Sequence, residues 1–131
     1  RGGDLIVKGD AGARTGIDMK GGTIIIGGNA GAFTGFMMQR GRIIVCGDVS
    51  ANMGDSMYDG MIFVGGEVKS LGSDCVQSEM NEYEVKWLEQ KLNNAEINSK
   101  TPVSKFKKYV SGKKLWNYDN LEPSERKGIL G

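Results

Sequence analysis

Residues 22–40 read GTIIIGGNAGAFTGFMMQR, and residues 41–59 read GRIIVCGDVSANMGDSMYD. Set one above the other, these 19-residue stretches share a leading glycine and three consecutive β-formers. They also share Gly28 or Gly47 followed by Asn29 or Asp48, then Gly35 or Gly54, then Met38 or Met57. The phase runs on in both directions. Gly3, Leu5, Ile6, Val7, Gly9, Asp10, Gly16 and Met19 fill the same columns upstream. Gly60, Ile62, Phe63, Val64, Gly66 and Glu67 fill them downstream. Three full units and part of a fourth cover about residues 3–72. So many columns agreeing at one spacing mark a repeat architecture, in which each unit buries its apolar surface by stacking on its neighbours.

Each unit supplies one short strand bounded by glycine turns and no stretch long enough, at helical period, for a crossover helix. That excludes βαβ units and the helical leucine-rich repeat. It leaves a coil whose successive turns stack in register about 4.8 Å apart, a parallel β-helix. Alternation along the strands sorts their side chains. Leu5/Val7, Ile24/Ile26, Ile43/Val45 and Ile62/Val64 fill the coil, and Ile6, Ile25, Ile44 and Phe63 form an outward apolar stripe. A stripe of that size calls for a cover, from the C-terminal segment or from another protein. The Met19/Met38/Met57 ladder reads as core filling.

The chain divides by composition. Residues 1–72 hold 18 of the 21 glycines, and beyond Ser78 the glycine density collapses. We therefore expect a β-helix over residues 1–77 and a helical or irregular extension over 78–131 that packs on the coil or caps its open end. Asn81 with Glu84 forms a capping box. It opens a helix over Glu82–Asn93, with Val85, Leu88 and Leu92 on one face and Asn93-Asn94 as its stop. Thr101-Pro102 reads as the N-cap and first residue of a second short helix carrying Val103, Phe106 and Val110. Leu115, Trp116 and Tyr118 are expected anchors.

The chemistry-bearing residues are few. With 17 Lys+Arg against 16 Asp+Glu, the 131-residue chain has no general pull toward nucleic acid or an anionic membrane. The lysines at 105, 107, 108, 113 and 114 read as a solvated face. No apolar run approaches the ~18 residues of a membrane span. Histidine is absent, which removes His-dependent triads and His metal ligands. Cys46 and Cys75 are too few for a disulfide scaffold or an iron–sulfur cluster and form no CxxC pair, so a reducing, cytoplasmic setting is expected. The Gly9, Gly12, Gly16 spacing is not a dinucleotide fingerprint, and neither a helix nor a Walker lysine follows. The ladder Asp10, Asn29, Asp48, Glu67 could in principle hold a cation or do acid–base work. Asn29 interrupts the charge, however, and the simpler role is to accept backbone N–H groups at the turns. We assign no catalytic, cofactor-binding or metal-ligating residue.

The repeated GDAGARTG (9–16), GGNAGAFTG (27–35) and GDVSANMGDSM (47–57), with Asp59-Gly60-Met61-Ile62, resemble the GXGXG repeat domain of glutamate synthase. The likeness is strong over about residues 1–76. It continues through Gly65-Gly66-Glu67-Val68 and Ser70–Cys75, and more loosely through Phe106–Val110 and Leu115–Tyr118. The resemblance implies a right-handed β-helix that is architectural and inactive alone, belonging to an oxidoreductase complex. A glutamine amidotransferase and an FMN/iron–sulfur synthase would be separate domains or subunits, with FMN and the clusters bound there and not by this chain. A second copy of the chain is a further possible partner. The more distant likeness is to the β-helix component of formylmethanofuran dehydrogenase, or of a formyltransferase/hydrolase complex. A free-standing enzyme with an acidic cleft, as in polysaccharide-active β-helices, would need clustered acids that the broken ladder does not give. The chain opens at Arg1, at the start of a coil turn, as expected of a segment from a longer polypeptide.

Overall fold

The structure is a computed structural model that describes residues 3–113. Strands β1 (Asp4–Val7), β2 (Lys20–Ile26), β3 (Arg40–Val45) and β4 (Met61–Val64) are the four copies of the apolar triplet. They pair parallel and in sequence order, with Leu5 on Ile24, Ile24 on Ile43 and Ile43 on Ile62. The offset between partners is the 19 residues of the repeat. On a second side of the coil, bridges join Ala11 to Ala30, Ala30 to Val49 and Val49 to Val68 at the same offset. The result is a parallel β-solenoid of about 3 turns. Two slips break the period. Lys20 pairs with Arg40 beside the glycine corner Gly21-Gly22. In the last turn Met53 bridges Leu71, one residue short of the repeat.

The two faces of each strand build two cores. Ile26, Ile43, Val45, Ile62 and Val64 fill the coil with Met38, Met53 and Met57, all fully buried. Ile25, Ile44 and Phe63 face outward, and they too are fully buried, beneath Leu88 and Leu92 of helix α1 (Glu82–Asn94) and Phe106. The expected cover is thus the chain's own helix. Each such side chain contributes ~1.5–3 kcal/mol on leaving water, which outweighs the modest cost of ordering a helix of this length. Asn81 accepts the N–H of Glu84 at 2.9 Å, and the Glu84 carboxylate accepts the N–H of Asn81 at 2.9 Å. The capping box therefore forms as the sequence indicates, and the helix stops at Asn94 with Ala95 as its C-cap.

The rest of the extension departs from expectation. No second α-helix forms at Thr101-Pro102: a single 3-10 turn, Val103–Lys105, leads into strand β6 (Lys107–Ser111). β6 lies antiparallel against β4, with Ile62 opposite Tyr109, and pairs on its other side with β5 (Cys75–Ser78). The helical spacing of Val103, Phe106 and Val110 loses to tertiary context. The last coil strand needs a partner for its open edge, and Tyr109 and Ser111, two apart, point inward as a strand requires. The sheet order is therefore β1-β2-β3-β4-β6-β5. Leu115, Trp116, Tyr118 and Lys114 lie outside the described residues.

Candidate functional site

The Asx ladder runs down one corner of the coil. Asp10 Oδ1 accepts the N–H of Asn29 at 2.7 Å. Asn29 Oδ1 accepts that of Asp48 at 2.8 Å, and Asp48 Oδ1 that of Glu67 at 2.8 Å. Each side chain satisfies the backbone of the next turn, and Asn29 serves as well as a carboxylate because only a carbonyl-type oxygen is required. The preceding glycine is obligatory for this geometry. A Cβ on Gly47 would stand 2.2 Å from Asn29 Oδ1 and 2.7 Å from the Gly28 carbonyl oxygen. The amides of Gly28, Gly47 and Gly66 donate to the carbonyls of Gly9, Gly28 and Gly47, each at 2.9 Å. These glycine loops have spent the N–H groups with which a phosphate cradle would bind its anion.

The thiols are equally committed. Cys75 is buried in the coil, where a Cβ on Gly54 would come within 2.7 Å of its Sγ, and burial pushes its pKa up to about 12. Cys46 is buried in the outer core. Burial raises its pKa, with a hydrogen bond to Ser99 working against the rise. The two lie in different cores, so they do not share a ligand, and a cluster needs four thiolates. Neither thiol is a thiolate nucleophile at neutral pH. Among the described residues no group of three or more Cys, Asp or Glu could hold a metal ion. Two buried thiols in separate cores do not make the four-thiolate set of an iron–sulfur cluster.

The open surface with polar and aromatic character is a groove of about 500 Å³ beside the third corner of the coil. Its floor is Gly22, Gly41 and Gly60, its wall Trp87 of α1, and its rim Arg40, Arg42 and Lys91. The Arg42 guanidinium lies 5.0 Å from the Trp87 ring centroid and Lys91 Nζ 5.8 Å from it. Lys91 also ion-pairs with Asp4 at 2.9 Å. The groove thus mixes cationic side chains with the Trp87 ring, and Asp4 and Asp59 also line it. No sequence pattern hints at it, because Arg42 and Trp87 are far apart along the chain and meet only when α1 docks.

The profile of a family described as the GXGXG motif matches residues 1–122. The chain belongs to the GXGXG motif family. This is the family of the glutamate synthase GXGXG domain. No curated protein and no solved structure matches the chain. The geometry explains the glycines for which the GXGXG family is named, but it also shows positions that no glycine marks. Arg14, Phe33 and Asn52 have φ near +60°, as do Asp18, Met37 and Ser56, again 19 residues apart. Every turn of this GXGXG coil thus repeats the left-handed kinks on either side of Gly16, Gly35 or Gly54. The backbone bonds Arg14 N to Ala32 O (2.8 Å) and Phe33 N to Ala51 O (2.9 Å) hold them in place. Among the described residues no helix is long and apolar enough to cross a membrane.

Proposed function

We propose that this chain is a non-catalytic β-helix domain or subunit of a glutamate-synthase-like complex, organising a glutamine amidotransferase and an FMN/iron–sulfur synthase for glutamine-dependent glutamate formation in the cytoplasm. One observation carries the reading beyond family membership. The groups that could do chemistry in the coil are already engaged: the ladder oxygens and glycine amides bond the neighbouring turn, and both thiols are buried and protonated. What the coil offers a partner is surface, and the groove between Arg42 and Trp87 is one such region.

The test is purification of the tagged chain from its native cells, followed by mass spectrometry of its partners and spectroscopy of the separated chain. The expected result is co-purification of a glutaminase chain and a flavin/iron–sulfur chain, with featureless absorbance above 300 nm for the separated polypeptide. A stoichiometric chromophore on this chain, or co-purification with a molybdenum or tungsten enzyme, would overturn the proposal.

A further inference from the structure

One side of the coil carries apolar side chains that neither core takes in. Phe33, Phe36 and Met37 belong to neither buried cluster. Met37 is 48% exposed, and Phe33 and Phe36 are half-buried with their rings edge to face at 5.6 Å. All three sit on the second turn, bonded to the turns on both sides: Gly35 donates to Thr15, and Phe33 and Met37 donate to Ala51 and Asp55. Their exposure is thus a property of the flank of the coil and not of an end. We propose that this flank is an interface with a second copy of the chain, the two coils lying side by side and parallel about a two-fold axis over the Gly16/Gly35/Gly54 column. The inference is independent of the function proposed above.

The coil itself does not ask for these residues. Phe33 and Met37 are held at φ +59° and +56°, a region that short polar side chains tolerate and bulky ones disfavour. Their columns otherwise carry Arg14 and Asn52, and Asp18 and Ser56. Asn52 and Asp18 are of the types that such a corner prefers. An aromatic ring and a methionine there, beside Phe36, give the isolated coil backbone strain and wetted apolar surface together. A partner that covers them offsets both, and aromatic residues, Met and Arg are the ones that interfaces concentrate.

The order of the side chains selects the partner and its direction. The two left-handed columns stand on either side of the glycine column. A two-fold axis parallel to the coil sets each residue of one column against the residue of the other on the same turn. Arg14 then meets Asp18 of the second copy, Phe33 meets Met37, and Asn52 meets Ser56: an ion pair, a sulfur–aromatic contact and a hydrogen-bonding pair. Copies lying antiparallel would leave Arg14 against Asn52 and Asp18 against Ser56, with no charge matched. Both charges are already positioned. The Arg14 guanidinium lies over the Phe33 ring, 5.7 Å from its centroid, and Gln39 donates to Asp18 Oδ1 at 3.0 Å, which leaves Oδ2 for the second copy. Because the axis runs along the coil, further turns at either end would lengthen this interface and leave these pairs in place.

The experiment is light scattering coupled to size exclusion on the full chain, with circular dichroism to confirm that each variant is folded. Wild type should run at twice the chain mass at micromolar concentration. Phe33→Asn gives the second turn the residue that the third has at Asn52, so the fold should persist while the dimer dissociation constant rises roughly tenfold or more. Arg14→Asp and Asp18→Arg should each weaken the dimer by a similar factor, because each puts like charges opposite one another across the axis. Their equimolar mixture, and the double variant Arg14→Asp/Asp18→Arg, should recover the dimer, since opposite charges again face one another in both. A monomeric wild type would overturn the proposal and leave this flank to another protein. So would a dimer indifferent to Phe33→Asn or to the charge changes, or single charge variants that are not rescued by mixing.

Discussion

At the scale of single residues, the coil is held by atoms that must approach closely. Gly47→Ala would drive a methyl into the Gly28 carbonyl and into Asn29 Oδ1, which is held by the Asp48 N–H, so a loss of ~2–4 kcal/mol is expected from unfolding in urea. An effect within experimental error would show that the ladder is dispensable. Asp55 gives a pH signature. Its Oδ1 accepts from the Ser73 N–H at 2.7 Å and from the Ser73 hydroxyl at 3.1 Å, while the Ser56 hydroxyl donates to Oδ2 at 3.1 Å. The Ser73 backbone bond is the main cause holding this carboxyl below its usual range; desolvation works against it, and the Ser73 and Ser56 hydroxyls add to the lowering. A depressed folded value means stabilisation that is present above the unfolded carboxyl value of about 3.9 and lost as pH falls through the folded one. The Tm deficit of Asp55→Asn should be largest near neutral pH and shrink in acid, and a deficit constant with pH would refute this. The glycine and Asx columns were legible in the sequence because only those residue types fit their sites. The left-handed conformation of Phe33 and Met37 was not, since their side chains carry no mark of it and only the stacking of turns enforces it.

At the scale of elements, the outward stripe and α1 form one cooperative unit. The stripe and the helix could be read from strand alternation and the capping box, because both are local patterns. β6 could not, because a strand that exists to cover another strand's edge is written in the coil's topology and only weakly in its own residues. The salt bridge of Lys108 to Glu84, at 2.6 Å, joins β6 to α1 and gives one of the tail lysines a structural role that their clustering did not suggest. Ile44→Asp should release α1 and leave the coil standing, because Ile44 lies under Leu88 and Leu92 while Ile43 and Val45 lie within the coil. The expected readout is dye binding to exposed apolar surface and loss of helical circular dichroism, with the strand signal retained. Ile43→Asp should unfold the whole chain, and if the two effects are exchanged the face assignment is reversed. Asn81→Ala removes one arm of the capping box and should cost about 1 kcal/mol, seen as a lower urea midpoint.

At the scale of the molecule, the fold is close to one-dimensional: each turn touches the turn before and the turn after, and stability should vary along the coil axis. β3 is sandwiched between β2 and β4 and covered on its outer face by α1, with Ile43, Ile44 and Val45 all fully buried. β4 gains β6 on its far side and is buried as deeply. Among the described residues β1 has a neighbour on one side only, and its burial falls away toward its start. Opening β1 exposes little that is not already wet, whereas opening β3 breaks two ladders and two cores together. Amide hydrogen exchange should therefore follow a gradient. Amides in Ile43–Val45 and Ile62–Val64 should exchange only through global unfolding, those of Thr23–Ile26 faster, and those of Leu5–Val7 fastest through local fraying. Uniform protection from β1 to β4 would mean that the coil unfolds as a single unit, with coupling between turns much stronger than nearest-neighbour contacts supply.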